Sequence, residues 1–121
     1  MKILDVENIK IPSINGKYGV NPKTGRLYLQ PKYREFKELI ENMVVQFSID
    51  TKIEPPYSVK INVGTALDID NFIKVLLDSL QQARLIDDDK NVHRLTINKT
   101  PVKKGSANSL QVFLNTLNDE V

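Results

Sequence analysis

The chain has 121 residues, 40% of them hydrophobic, enough for one domain with its own core spanning residues 1–121. It has no cysteine, which excludes disulfides, thiolate metal sites and cysteine nucleophiles and points to a reducing, cytoplasmic setting. The net charge of +2 hides an uneven distribution: Asp68 to Asp89 carries Asp68, Asp70, Asp78, Asp87, Asp88 and Asp89 against Lys74 and Arg84, a balance of −4 inside a remainder of +6.

That division fits carboxylates that hold cations within a surface that attracts phosphate, and it also fits ordinary solvated charge. There is no apolar signal core at the N-terminus and no run near the roughly 18 apolar residues of a spanning helix, so a soluble protein without a membrane segment is expected.

In chain order, Ile3 to Ile11 reads as a strand with imperfect alternation, apolar at Leu4 and Val6 and again at Ile9 and Ile11. Pro12 to Pro31 is crowded with Gly, Pro, Asn and Ser and reads as a long loop, with a short hairpin around Thr24-Gly25. Tyr33, Phe36, Leu39, Ile40, Met43, Val44 and Phe47 follow helical spacing, and Pro31 suits the first helical turn. After Pro55-Pro56, Tyr57 to Val63 alternates strictly, as a half-buried strand does. A second helix is expected from Asp70 or Asn71, either of which can cap it, to about Ala83, with Asp70, Lys74 and Asp78 on its polar stripe. Two strands close the chain, Val92 to Asn98 and Ser109 to Thr116, joined by a basic turn. The fold class expected is α/β in the α+β sense: a small mixed sheet of about four strands packed with two main helices.

Asp68-Ile-Asp70-Asn71 forms a D-x-D-N unit at the strand-to-helix junction, where two carboxylates can converge. Mg²⁺ takes oxygen ligands and keeps several waters, so two or three carboxylates and a phosphate oxygen suffice to hold it. A helix of about 13 residues rises roughly 20 Å, and the few residues after it span a similar distance if they return along it, which brings Asp89 within reach of Asp68 and Asp70, within a protomer or across a dimer. Clustered carboxylates repel unless a cation or Lys74 compensates. The competing structural reading is a capped helix, an exposed i,i+4 ladder and a solvated turn.

Alternatives are weaker. A calcium loop starting at Asp68 would place Ile73 and Ser79 where Gly and Glu are needed. A metal-dependent sugar-nucleotide transferase uses D-x-D but is usually much longer. His93, the only histidine, is expected half-buried in a strand, and nothing resembles a nucleophile elbow. Between Lys10 and Lys37 stand Lys10, Lys17, Lys23, Arg26, Lys32, Arg34 and Lys37 against the single acid Glu35, with Tyr18, Tyr28 and Tyr33 interleaved, a composition suited to phosphate contacts and stacking.

Asp68-Ile-Asp70-Asn71-Phe-Ile-Lys74-Val-Leu-Leu-Asp78-Ser-Leu, followed by Leu85-Ile-Asp87-Asp88-Asp89-Lys-Asn-Val92, resembles the RusA family of Holliday-junction resolvases. That family shows D-x-D-N-x-x-K-x-x-x-D-x-L and then D-D-x-x-V. Ile11-Pro12-Ser13-Ile-Asn15 is similar to its N-terminal P-S-x-N stretch, and Pro101-Val-Lys103-Lys104-Gly105 to its late basic turn.

The resemblance implies a homodimeric nuclease that makes paired symmetric nicks in four-way junction DNA with Mg²⁺ or Mn²⁺. By position it implies Asp70, Lys74 and Asp89 as catalytic and Asp68, Asp70 and Asp89 as metal-binding with Asp88 beside them; the basic composition, with the N-terminal stretch and the late basic turn, adds Lys10, Asn15, Lys17, Lys23, Arg26, Lys32, Arg34, Lys103 and Lys104 as expected DNA contacts. Asp87 is an additional acid before the usual pair, and alignment on Val92 selects Asp89. The setting implied is bacterial or prophage-encoded, at the nucleoid when bound. A DNA-binding protein without cleavage activity is the alternative.

Overall fold

A computed structural model describes residues 1–11, 18–29, 31–50, 53–66 and 70–117, and for 18, 19, 28, 29, 45–50 and 70–72 the backbone alone. The elements are β1 (Lys2–Ile9), β2 (Tyr18–Val20), β3 (Leu27–Leu29), α1 (Pro31–Asp50), β4 (Tyr57–Thr65), α2 (Asp70–Gln82), a 3₁₀ turn (Asp89–Asn91), β5 (Val92–Pro101) and β6 (Asn108–Thr116). The α+β class, the four-stranded mixed sheet and the two helices are all as expected.

The alternation of β4 organises the molecule. Val59, Ile61 and Val63 are buried, while Lys60 between them is exposed. Beside them Leu110, Val112 and Leu114 of β6 form the second apolar row, and Tyr33, Phe36, Ile40 and Val44 of α1 with Val75, Leu76 and Leu80 of α2 complete one continuous core. Both helices therefore cover the same side of the sheet, and the other side is left to polar residues.

Strand order is β1-β6-β4-β5, with β4 and β5 parallel and the remaining pairs antiparallel. A parallel pair needs a crossover, and α2 supplies it. The register sets what lies at one end of the sheet: Ile9 pairs with Asn108, and Thr65 with Pro101. The start of α2, the end of β1 and the β5–β6 turn therefore share that end.

Differences from the sequence reading are local. The imperfect alternation of β1 reflects two register shifts, the second at Asn8, whose positive φ of 59° marks a bulge. Within the expected loop from Pro12 to Pro31 the hairpin around Thr24-Gly25 is present as expected, formed by β2 and β3 and turned by Asn21 and by Gly25 at φ 70°. β5 runs on to Pro101, which an edge strand tolerates because no ladder partner needs its missing N–H. His93 is exposed, because β5 lies at the sheet edge.

Candidate active site

The site is built around α2 and the segment that follows it. Val75, Leu76 and Leu80 anchor the helix in the core, and the Ser79 hydroxyl donates to the Val75 carbonyl at 2.7 Å, so this buried polar group is satisfied within the helix. The opposite stripe carries Lys74 and Asp78 toward solvent, their charged groups 3.2 Å apart at i,i+4 spacing.

The helix ends in a left-handed cap. Arg84 has φ 63°, its N–H donates to the Gln81 carbonyl, and the Leu85 N–H donates to the Leu80 carbonyl at 3.1 Å. This is the Schellman arrangement, normally built on glycine, and it seats Leu85 and Ile86 in the core. The chain then returns beside α2.

The three consecutive acids that follow engage different partners. Asp87 accepts from the Asn91 amide at 2.8 Å, and its backbone N–H donates to the Tyr57 hydroxyl oxygen at 3.2 Å. The Asn91 contact, ahead of other causes, holds the Asp87 carboxyl below the usual carboxylate range, while burial pushes the Tyr57 phenol up. Asp88 caps the 3₁₀ turn by accepting from the Lys90 N–H. Asp89 points to the helix: its Oδ2 lies 2.8 Å from Lys74 Nζ, and its N–H donates to the Gln81 side-chain carbonyl at 3.3 Å.

Lys74 therefore bridges Asp89 and Asp78. The hydrogen bond from Lys74 holds the Asp89 carboxyl below its ordinary range, and the bonds to Asp89 and then Asp78 raise the Lys74 ammonium above its own. The Lys74 side chain is 55% exposed and that of Asp89 29%, so the pair is a solvated one whose contribution to stability is about 0–1 kcal/mol. Its effect is to orient Asp89.

The chain from Asp68 to Ile69 and the side chain of Asp70 lie outside the described residues. Among the described residues no group of three or more acids or histidines converges as a metal site. Among the described residues, Lys74 engages the carboxylates of Asp78 and Asp89, oxygen donors of the type a hard divalent cation takes.

The basic residues singled out in the sequence fall on separate elements. Lys10 and Lys32 line one groove of about 680 Å³ with Ile9, Ile11, Phe36 and Leu39, at the sheet end where α2 begins. Lys32 also lies 5.7 Å from the Tyr33 ring centroid. Lys103 and Lys104 are exposed in the β5–β6 turn at that same end of the sheet. Lys23 and Arg26 are exposed on the β2–β3 turn, and Arg34 on α1. Asn15 and Lys17 lie outside the described residues.

The two halves of the acidic constellation, some fifteen residues apart in sequence at Lys74 and Asp89, thus meet in space. The family model of the endodeoxyribonuclease RusA matches residues 11–113. The chain belongs to the RusA endodeoxyribonuclease family. The match runs from the end of β1 into β6 and contains both acidic motifs. RusA enzymes are endonucleases that resolve Holliday junctions. No curated protein matches the sequence. No helix among the described residues is long and apolar enough to cross a membrane.

Sequence reasoning missed the Tyr57 and Gln81 contacts to the returning segment. Tyr57 was legible only as a strand residue, and nothing in the spacing of Gln81 marks it as a partner of Asp89.

Proposed function

We propose that this chain is a single-domain, homodimeric Holliday-junction resolvase that nicks four-way DNA with Mg²⁺, or Mn²⁺ in its place. The observation that carries the reading is the Lys74–Asp89 contact at 2.8 Å, which links the D-x-D-N-x-x-K motif to the D-D-x-x-V motif. Asp68, Asp70 and Asp89 are the residues that would hold the cation, with Asp88 beside them. A bound divalent ion would supply charge neutralisation at the phosphodiester and lower the pKa of a water. Lys74 keeps Asp89 ionised and oriented and adds positive charge where the phosphate becomes more negative. Lys10, Lys32, Lys103 and Lys104, at the sheet end where α2 begins, would hold the arms, with Asn15, Lys17, Lys23, Arg26 and Arg34 as further contacts. A four-way junction has two-fold symmetry and is cut twice, which an isologous dimer matches.

The test is Asp70→Asn. Loss of nicking with folding and junction binding retained is the expected result, and retained nicking would contradict the assignment. A second reading, a junction- or single-strand-binding protein without cleavage, draws on Lys74 already compensating Asp89. Tight, salt-sensitive binding with no nicks under any divalent ion would favour it.

A further inference from the structure

On the sheet face opposite the helices the two signs of charge are separated by strand. Strands β4, β5 and β6 contain no aspartate or glutamate, while Lys60 and Arg94 lie on this face of them; Lys99, opposite the buried Val63, belongs to the helix side. The acids of the sheet are confined to β1, at Asp5 and Glu7. Asp5 is engaged by Lys2 at 3.0 Å, which holds its carboxyl below the usual range.

A row of side-chain bonds crosses this open face from one edge to the other. Gln111 donates to Asp5 at 3.3 Å, Asn62 donates to Gln111 at 3.3 Å, and Asn98 donates to Asn62 at 3.0 Å. Each bond uses one N–H, and a primary amide carries two. One register step away, Lys60 stands beside Phe113 with its ammonium 5.7 Å from the ring centroid, and Thr96 is its partner on β5. Arg94 faces the same way as Thr96 and Asn98 by strand alternation. The result is a fixed row of amide donors with two cations on one side of it, Lys60 one step and Arg94 two steps along, and no carboxylate on the three strands β6, β4 and β5.

We propose that this open face, over β6, β4 and β5, binds the phosphodiester backbone of a DNA arm. Charge complementarity selects the occupant: phosphates accept hydrogen bonds and carry negative charge, and the face offers donors and positive charge. A second copy of the chain would set basic strand against basic strand. The position also fits, because β5 leaves the turn that carries Asp89, and Arg94 lies no more than ~17 Å of extended chain from it. An arm leaving the candidate active site can thus wrap the β5 edge onto this face. The inference rests on the junction-nuclease reading.

The test is anisotropy of a labelled four-way junction titrated with the full chain in chelator, between about 50 and 200 mM salt. Replacing both Lys60→Gln and Arg94→Gln is expected to weaken binding about tenfold and to make the slope of log K against log salt shallower by nearly two. The double exchange of Lys60→Arg with Arg94→Lys is expected to restore both values. Thr96→Glu, which adds one acid at an exposed position, is expected to weaken binding as well. Unchanged affinity and slope in the glutamine and glutamate variants would overturn the inference and leave the nuclease reading standing. A loss of dimer mass in the glutamine variant with unchanged slope would overturn it by making the face a subunit interface. Absence of binding by the unaltered protein would overturn both readings together.

Discussion

The Lys74 ammonium sits 2.8 Å from a carboxylate oxygen of Asp89, and the same ammonium is 3.2 Å from Asp78. One cation therefore ties the exposed stripe of α2 to the segment that returns along it. Because the pair is solvated, its removal separates chemistry from folding. Lys74→Met is expected to lower junction nicking at least about a hundredfold while shifting the unfolding free energy by less than about 1 kcal/mol. Single-turnover nicking rates and urea denaturation of the same preparation check this.

The ion pair also sets a pH signature. Asp89 has a depressed carboxyl, so its contribution is complete above the ordinary value near 3.9 and is lost as pH falls through the lower folded value. Lys74 is shifted upward, so its contribution is complete below the ordinary value near 10.4 and is lost only as pH rises through the higher one. Between about pH 5 and 9 the pair keeps its charges. Urea denaturation of the unaltered protein and of Asp89→Asn is expected to show a constant gap from about pH 5 to 7 that closes in acid. A gap that varies across neutral pH would contradict this.

The turn at Arg84 offers a stability test away from the chemistry. A non-glycine residue at φ 63° costs roughly 1 kcal/mol, and nothing at that position requires the arginine side chain for the Schellman bonds. Arg84→Gly is expected to raise stability by about 0.5–1 kcal/mol, and Arg84→Val to lower it by at least about 1 kcal/mol. Chemical denaturation at neutral pH measures both.

Leu80 is fully buried and contributes to the same turn through its carbonyl, which accepts from Leu85. Leu80→Ala is expected to cost about 2–5 kcal/mol by leaving a cavity under α2. Thermal unfolding, followed by circular dichroism, gives the value.

What could be read in advance followed from local periodicity. β4 and α2 were legible because a buried row imposes a two-residue or a three-and-four-residue repeat on one chain segment, as Val59, Ile61 and Val63 or Val75, Leu76 and Leu80 show. The bulge at Asn8 blurred β1, since a register shift breaks the repeat. The cap at Arg84 carried no signal, because the sequence signature of that motif is glycine. Strand order, and with it the row from Asp5 through Gln111 and Asn62 to Asn98, was hidden for another reason: those residues are joined only by tertiary pairing across as many as 106 positions. The meeting of Lys74 with Asp89 lay between these cases. Chain length permitted it, and the buried Leu85-Ile86 step that directs it becomes visible only in the fold.

The most direct measurement is incubation of the purified protein with a synthetic four-way junction and, in parallel, a linear duplex, in Mg²⁺, Mn²⁺ or chelator, resolved on a denaturing gel. Paired symmetric nicks in the junction that need the metal and spare the duplex are the expected result. A junction left intact in both metals, or nicks that persist in chelator, would contradict the assignment of this chain as a metal-dependent resolvase.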